Sequence, residues 1–355
     1  MKTRELKVIL KKKKLDFALF YSLGMNPNPN IVYFSGYYDT GALIVPKKQA
    51  PFLVVPEMEY ERAKSSMVKK AYKMDKKRFF ESISMILKKN KIKSGSVGID
   101  KSAFTLLAHK GFKKYFKKSK TKDLSLDCLR LREIKTNGEV KIIKSAFGKG
   151  NKIISKAIKN FKKFKTEAEA AAFLEYEAKK QGLEMSFPPI VASGKNASMP
   201  HHMPKNAKIQ KGFCVIDFGI KYKGYCTDIT RTIYIGKPKK SEREIYDFLL
   251  DMQKSLIENI KINDNCGKIY EDCAKGLGKY SKYFIHGLGH GVGIEIHELP
   301  NLTLNSKDKI QKNTVFTIEP GIYIPNKLGI RIEDTILMGE KLIVLTNVPK
   351  GLLTV

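Results

Sequence analysis

The sequence predicts an α/β domain over residues 1–130, followed by an α+β domain over residues 131–355. The chain has 355 residues, which suits two domains of ordinary size. Short apolar runs alternate with helical patterns in the first third, whereas strands and turns dominate from Gly212 onward. The composition shifts between these regions, near Asp127–Glu133.

The strands of the first domain are predicted from apolar runs bounded by Gly, Pro, Asn or Asp. The runs are D-F-A-L-F-Y-S (16–22), N-I-V-Y-F-S-G (30–36), A-L-I-V-P (42–46), P-F-L-V-V-P (51–56) and S-V-G-I-D (96–100). Helical patterns cover Phe79–Leu87 and Ala103–Phe116. Because strands alternate with helices, a mostly parallel sheet is expected.

The second domain is predicted to open with helices. Apolar residues recur at threes and fours over Val140–Phe161, with an irregularity near Gly148–Gly150, so either one long helix or a broken pair is expected. The next helix begins with the capping box T-E-A-E (166–169) and ends at Gly182. One further helix is expected at about 241–262, among strands and turns.

The composition argues against several classes of protein. The net charge is +32, but only eight of the 67 basic residues are Arg, and sequence-reading nucleic-acid sites concentrate Arg. No apolar run reaches the ~18 residues that span a bilayer. The N-terminus turns charged after three apolar residues, unlike a signal peptide. The five cysteines lack C-x-x-C spacing. A cytoplasmic protein with reduced thiols and neither membrane nor specific nucleic-acid partner is expected.

Residues 211–232 predict a hairpin that brings two carboxylates together. V-I-D-F-G-I and Y-C-T-D-I-T are both strand-like, and the residues between them are typical of a turn. A symmetric hairpin centred between Tyr222 and Lys223 places Asp217 opposite Asp228. Directly opposed side chains have Cβ atoms about 4.5–5.5 Å apart, so these two carboxylates would repel each other.

Two explanations of the opposed carboxylates are open. Each Asp could cap a loop or pair with a basic side chain, for which Arg231 is the candidate. Alternatively, a cation lies between them. The pattern recurs at Glu319, just before Pro-Gly, and at Glu333, within G-I-R-I-E-D. Four acids in apolar strands outnumber the nearby arginines, which favours a cation site.

The available ligand atoms limit which metal ion can bind. Carboxylates with an imidazole and no thiolate suit Mn²⁺, Co²⁺ or Fe²⁺ better than a structural zinc. Because carboxylates can bridge, two divalent ions are expected. Mn²⁺ or Co²⁺ is favoured, with Fe²⁺ and Zn²⁺ as alternatives. Paired ions lower the pKa of a bridging water and make hydroxide available near neutral pH.

Three of the six histidines lie in H-G-L-G-H-G-V-G-I-E-I-H-E, residues 286–298. His286 and His290 are four apart, as zinc ligands on a helix are. The glycines at alternate positions disfavour a helix, so a loop and strand are predicted. Elsewhere, His202 is expected to be an exposed neighbour of His201.

Five segments occur in the order found in one enzyme family. They are V-I-D-F-G, C-T-D-I-T-R-T, the histidine segment, T-I-E-P-G-I-Y and G-I-R-I-E-D, with P-H-H-M-P (200–204) ahead of them. Together they resemble the pita-bread (creatinase/aminopeptidase-like) dinuclear metallopeptidases. Residues 1–130 resemble the creatinase-N-like domain of the Xaa-Pro peptidase branch, prolidase and aminopeptidase P. The resemblance implies a pita-bread catalytic domain and a homodimer.

The resemblance also implies a set of metal ligands. Asp217 would bind one metal, and His290 and Glu319 the other. Asp228 and Glu333 would bridge the two ions.

Further residues take roles in the implied chemistry. Glu319 would also be the acid/base for the attacking water, and His297 would donate to the scissile carbonyl or its oxyanion. His201 and His286 would line the pocket and assist substrate placement or proton movement. Arg331 would hold a ligand carboxylate in place.

The implied reaction is hydrolysis of Xaa-Pro peptide bonds by a metal-bridging hydroxide. The sequence departs from the family at H-E-L-P-N, where many prolidases have Gly at Leu299 and Arg at Asn301. That Arg is thought to clamp the free carboxylate of a dipeptide, so dipeptidase and aminopeptidase forms both stay open. The alternatives are an inactive pita-bread binding protein and a same-fold hydrolase acting on a non-prolyl bond.

Overall fold

The computed structural model describes residues 2–23, 27–75 and 78–355. They form two compact units, Met1–Arg132 and Glu133–Val355. Within the described ranges, no helix has both the length and the apolar character needed to cross a membrane.

The first unit contains a mixed sheet with helices packed on it. Its strands are β1 (Phe17–Ser22), β2 (Gly41–Pro46), β3 (Phe52–Val55), β4 (Ala71–Lys73), β5 (Ser96–Ile99) and β6 (Lys120–Asp123). Its helices are α1 (Thr3–Lys12), α2 (Pro29–Ser35), α3 (Tyr60–Lys64), α4 (Phe79–Lys89), α5 (Leu106–Tyr115) and α6 (Ser125–Glu133).

The strand order in this sheet is β4-β3-β2-β1-β5-β6. The β3–β4, β1–β5 and β5–β6 pairs are parallel, whereas β1–β2 and β2–β3 are antiparallel, so the sheet is less parallel than expected. Only residues 47–51 separate β2 from β3, and so short a connection joins antiparallel neighbours. The edge strands β4 and β6 were not predicted, since both are short and polar.

The segment N-I-V-Y-F-S-G, predicted as a strand, is instead the helix α2. Asn28 caps this helix, because its side chain accepts a hydrogen bond from the Asn30 N–H at 2.9 Å. Pro29 occupies the first turn, and Gly36 ends the helix with φ +66°. The helix is buried on all sides. It therefore lacks the polar face by which a helical period is recognised.

The second unit combines helices with several small antiparallel sheets. Its helices are α7 (Asn137–Lys159), α8 (Glu167–Lys179), α9 (Lys240–Asn259) and α10 (Cys266–Gly276). Its strands are β7 (Glu184–Met185), β8 (Ile190–Ser193), β9 (Gly212–Phe218), β10 (Ile220–Tyr222), β11 (Tyr225–Cys226), β12 (Ile229–Ile235), β13 (Gly289–Gly291), β14 (Glu298–Leu302), β15 (Thr314–Ile318), β16 (Gly321–Ile324), β17 (Leu328–Arg331), β18 (Asp334–Met338) and β19 (Leu342–Val344).

The sheet orders are β12-β9-β8, β11-β10-β7, β14-β13-β15-β18-β19 and β16-β17. Helix α7 is one continuous helix, which resolves the alternative of a broken pair. Helix α10 was not predicted, although Cys266, Ile269 and Cys273 form its buried face at helical spacing. Because two of these three residues are cysteines, the helical spacing of apolar residues is a weak signal in the sequence.

The predicted hairpin forms, but its centre lies one residue later than expected, between Lys223 and Gly224. Both residues have positive φ, +48° and +84°, as a type I′ turn requires. Asp217 therefore pairs with Thr230 and not with Asp228. The predicted strand partner of Asp217 was therefore wrong by two residues. Because side chains alternate with a period of two, both carboxylates still belong to one face.

Candidate metal centre and substrate cavity

A cavity of about 570 Å³ opens within the second unit. Its lining includes every side chain that the sequence singled out for metal or substrate: His201, Asp217, Asp228, His286, His290, His297, Glu319, Arg331 and Glu333. Residues as far apart in the chain as His201 and Glu333, which are separated by 132 positions, thus line one cavity.

Three carboxylates form the centre of the cavity. Asp217 is on β9, Asp228 lies just before β12, and Glu333 lies just before β18. Each offers one oxygen, and these oxygens lie within 4.8 Å of one another. Thr230 helps to hold the third carboxylate, because its Oγ1 donates to Glu333 Oε2 at 2.7 Å.

His290 and Glu319 complete the acidic cluster from the neighbouring sheet. His290 Nε2 lies 3.4 Å from both Asp228 Oδ2 and Glu319 Oε1. His290 is on β13, which pairs with β14 and β15, so the segment is extended as predicted. A Cβ atom at Gly289 would overlap the Thr317 carbonyl, which explains why glycine flanks this histidine.

These donors fit a divalent metal centre. Among the described residues, the buried atoms Asp217 Oδ1 and Glu333 Oε1 have no hydrogen-bond partner. A buried carboxylate oxygen without a partner is costly, and a bound cation would satisfy both atoms. The carboxylates with one imidazole match the ligands of hard and borderline divalent ions.

Burial and mutual repulsion shift the pKa values of the three carboxylates. Burial raises the pKa of Asp228 well above its ordinary range, and repulsion from Asp217 and Glu319 adds to this effect. Burial likewise raises the pKa of Glu333, with further repulsion from Asp228. The pKa of Asp217 is raised by burial too, although the Arg331 guanidinium opposes the shift. The cluster therefore resists ionisation unless positive charge is supplied.

Arg331 connects the cluster to its surroundings and is itself buried. Its Nη2 donates to Asp217 Oδ2 at 2.7 Å, and its Nε donates to Thr230 Oγ1 at 3.2 Å. Its Nη1 donates to Tyr323 Oη at 2.7 Å and to the Pro200 carbonyl at 3.3 Å. One guanidinium thus holds a carboxylate of the cluster and a backbone carbonyl of the cavity wall.

Arg231, the candidate basic partner in the alternative explanation of the hairpin carboxylates, pairs with neither of them. Arg231 instead pairs with Asp334, Nη2 to Oδ1 at 2.8 Å. Its strand partner is Ile216, the residue next to Asp217. Side chains alternate along a strand, so Arg231 points away from the face that carries Asp217.

His286 uses both ring nitrogens within the protein. Nδ1 lies 2.6 Å from the Gly287 carbonyl, which can only accept, so Nδ1 carries the proton. Nε2 therefore accepts from the Tyr323 hydroxyl at 2.9 Å, and that hydroxyl oxygen accepts from Arg331. Burial lowers the pKa of His286, which favours this neutral form.

Tyr323 was not singled out from the sequence, although it stands in T-I-E-P-G-I-Y. Its side chain is buried and links His286 to Arg331. The signal available was weak, since a tyrosine in an apolar strand is usually a core residue.

His297 and His201 have different surroundings. The ring of His297 stands edge-on to that of His290, with centroids 4.2 Å apart. Burial, and next the proximity of His290, lower the pKa of His297. His201 is exposed at the cavity wall. The expectation for His202 was wrong, because His202 is only 5% exposed and its Nε2 lies 2.8 Å from Glu167 Oε2.

Comparison with known proteins gives consistent matches over the whole chain. Residues 141–340 match metallopeptidase family M24, and residues 2–134 match the creatinase/prolidase N-terminal domain. The Xaa-Pro dipeptidase of Pyrococcus furiosus is 38% identical over 321 residues, covering 88% of each protein. The solved prolidase of Pyrococcus horikoshii OT3 has a TM-score of 0.89 at 33% identity, covering 99% of each chain.

A second solved structure, the X-Pro aminopeptidase of Thermotoga maritima MSB8, has a TM-score of 0.89 at 27% identity and covers 100% of each chain. These matches confirm the resemblance and the predicted fold class. The chain therefore belongs to metallopeptidase family M24, the pita-bread peptidases, and carries a creatinase/prolidase N-terminal domain ahead of the family's catalytic domain.

Proposed function

We propose that this protein hydrolyses peptide bonds between any residue and proline. The observation that carries the proposal is the convergence of the predicted ligands and histidines on one cavity. Relatives named Xaa-Pro dipeptidase and prolidase, at 33–38% identity over most of the chain, support the choice of bond. We assign the catalytic domain to residues 131–355 and the creatinase-N-like domain to residues 1–130.

Five residues would hold two divalent metal ions: Asp217, Asp228, His290, Glu319 and Glu333. Bound ions of this kind lower the pKa of a water and stabilise negative charge on the scissile oxygen. We propose Mn²⁺ or Co²⁺, because the donor set is rich in oxygen and contains no thiolate.

Glu319 is the best candidate for moving protons. Its side chain is 17% exposed, compared with 8% for Asp228. Its Oε1 accepts from Thr317 Oγ1 at 3.2 Å, which orients the carboxylate. A carboxylate at the cavity surface can take a proton from the attacking water and deliver it to the departing proline nitrogen.

His297 is placed to stabilise the oxygen of the scissile carbonyl. It lines the cavity beside His290, and its lowered pKa keeps the ring neutral near pH 7. A neutral imidazole still has one N–H, which can donate where negative charge develops. His201 is exposed at the cavity wall, so its ring is also available to contact substrate.

The remainder of the cavity suits a proline ring. Proline has no amide N–H, so its subsite needs apolar contacts and no matching acceptor. Apolar side chains supply such contacts in the lining: Phe187, Pro188, Ile190, Met203 and Ile296.

The dipeptidase and aminopeptidase forms of the proposal differ at the carboxyl side of proline. A dipeptide places a free carboxylate there, and a longer peptide places an amide. Of the described residues that line the cavity, Arg331 is the only Lys or Arg, and its nitrogens are already hydrogen-bonded. Asn301 lines the cavity as well and can bind either group through its amide.

A substrate panel tests the proposal. Xaa-Pro dipeptides and Xaa-Pro-Yaa peptides should be compared with Mn²⁺, Co²⁺ and Zn²⁺, before and after chelation. We expect hydrolysis that requires metal and is confined to bonds that precede proline. Metal binding without hydrolysis would favour a binding protein, and cleavage of non-prolyl bonds would favour another hydrolase. On the family resemblance, we also propose that the protein is a cytoplasmic homodimer. Light scattering on the purified protein tests the dimeric state.

A further inference from the structure

Residues 199–205 form one lip of the cavity. Pro200, His201 and Met203 line the cavity, and Met203 is 61% exposed. This lip is not part of any helix or strand. Its position must therefore be set by contacts with its neighbours and not by a hydrogen-bonded ladder of its own.

The first turn of α8 lies against the end of this lip. The Ala168 N–H donates to the Lys205 carbonyl at 3.1 Å, and the Glu167 N–H donates to the Ala207 carbonyl at 3.2 Å. These bonds use N–H groups that an α-helix leaves free at its start. The backbone of the lip is thereby attached to α8.

The Glu167 side chain makes the stronger attachment, from a fully buried position. Its Oε1 accepts from the Ser193 N–H and Oγ, both at 2.8 Å, and from Asn196 Nδ2 at 3.0 Å. Its Oε2 lies 2.8 Å from His202 Nε2. Burial would raise the pKa of Glu167, but these hydrogen bonds outweigh it and hold the pKa below its ordinary value.

His202 thus points into the protein, whereas its neighbour His201 lines the cavity. The lip is held from the cavity side as well, because Arg331 donates to the Pro200 carbonyl at 3.3 Å. His201 is therefore flanked by two anchored residues, one bound to α8 and the other bound to the guanidinium that also holds Asp217.

We propose that Glu167 and His202 are positioning residues, which hold the lip and thereby set His201 against the substrate. Neither side chain lines the cavity. The anchoring of the lip follows from these contacts alone, whereas its effect on peptide binding rests on the proposed function. The two are therefore measured separately.

Kinetics of three variants test the second claim. His202→Leu removes the donor to Glu167 Oε2, whereas the three donors to Oε1 from Ser193 and Asn196 remain. We expect KM for an Xaa-Pro peptide to rise about tenfold with little change in kcat, because the lip is displaced while the acidic cluster is intact. His202→Gln retains an N–H donor and should restore most of the loss. His109→Leu, a histidine of α5 in the first unit, is the matched control and should leave KM unchanged.

Limited trypsin digestion tests the first claim without any substrate. Lys205 is the last residue of the lip, Lys208 follows three residues later, and both are exposed. Cleavage after them should be at least about fivefold faster in His202→Leu than in the wild type or His109→Leu, since local opening exposes the chain. Thermal unfolding verifies that each variant is folded.

The outcomes separate the two claims. Faster cleavage in a protein that hydrolyses no Xaa-Pro peptide would support the anchoring of the lip and refute the proposed function. Unchanged cleavage in folded His202→Leu would overturn the positioning role. A fall in kcat at constant KM would also overturn it, because that result would place His202 in the chemical step.

Discussion

Arg331 and Asp217 form a buried ion pair, with Nη2 donating to Oδ2 at 2.7 Å. The other oxygen of Asp217 has no hydrogen-bond partner among the described residues. Arg331 therefore occupies one oxygen and leaves the second directed at the acidic cluster. This arrangement orients the carboxylate for a cation without competing for it.

Replacement of Arg331 should weaken metal binding as well as activity. In Arg331→Lys the charge remains, but an ammonium cannot reach Asp217, Tyr323, Thr230 and Pro200 together as the planar guanidinium does. We expect affinity for Mn²⁺ to fall about 10–100-fold, as for other residues that orient metal ligands. Calorimetric titration of the metal-free variant measures this. Affinity equal to that of the wild type would show that Asp217 is oriented by other contacts.

Asp228→Asn should have opposite effects on activity and on stability. Asp228 is one of the proposed metal ligands, so its replacement should abolish Xaa-Pro hydrolysis. The same change removes a carboxyl group whose ionisation is opposed by burial and by its neighbours Asp217 and Glu319. The metal-free variant should therefore melt higher than the metal-free wild type, by about 2–4 °C for each kcal/mol of repulsion relieved.

The control for this experiment is Asp272→Asn, an exposed position on α10 where the carboxylate pairs with Lys268. It should leave activity unchanged and the melting temperature nearly so. Full activity in Asp228→Asn would remove Asp228 from the metal site. A lower melting temperature of its metal-free form would show that Asp228 stabilises the fold through another contact.

The stability of the metal-free protein should depend on pH through the same cluster. The pKa values of Asp217, Asp228 and Glu333 are raised on folding. A carboxyl with a raised pKa favours folding below its unfolded pKa of about 4, and this contribution is lost as pH rises through the folded value. Bound cations would remove the repulsion, so stabilisation by metal should grow with pH.

Melting temperatures between pH 5 and 8, with and without Mn²⁺, measure this linkage. The gap between the metal-loaded and metal-free melting temperatures should widen with pH in the wild type. It should widen less steeply in Glu333→Gln, which has one ionisable group fewer. A gap that is constant with pH in the wild type would contradict the coupling between metal and carboxylate ionisation.

The acids and histidines of the site could be found from the sequence, because each stands in a local pattern that ordinary structure does not favour. An acid inside an apolar strand, such as Asp217, or a histidine between glycines, such as His290, is visible without coordinates. Even an error of one residue in the hairpin centre was harmless, since a shift of two residues in partner keeps the same face of the strand.

The supporting residues could not be found in this way. Glu167 and His202 are 35 positions apart, and Tyr323 and His286 are 37 apart. Each looks ordinary in its own segment: Glu167 in a helix cap, Tyr323 in an apolar strand. Their roles depend on contacts between distant elements, which only the fold creates. Helix α2 was missed for the opposite reason, because its cap signals were present but its uniform burial hid the helical period.

Asn301→Arg should shift the preference of the enzyme toward dipeptides. Asn301 lies on β14, its side chain is exposed at the cavity, and its backbone N–H donates to Asp308 Oδ2 at 2.9 Å. An arginine there is anchored at the backbone and adds a free guanidinium to a lining in which each side-chain nitrogen of Arg331 already makes a hydrogen bond. A new hydrogen-bonded ion pair with the dipeptide carboxylate should lower KM for Xaa-Pro about tenfold. Xaa-Pro-Yaa peptides carry an amide at that point and should gain little, and Asn301→Gln should resemble the wild type. An equal gain for both peptide classes would mean that the guanidinium contacts something other than the carboxylate adjoining proline.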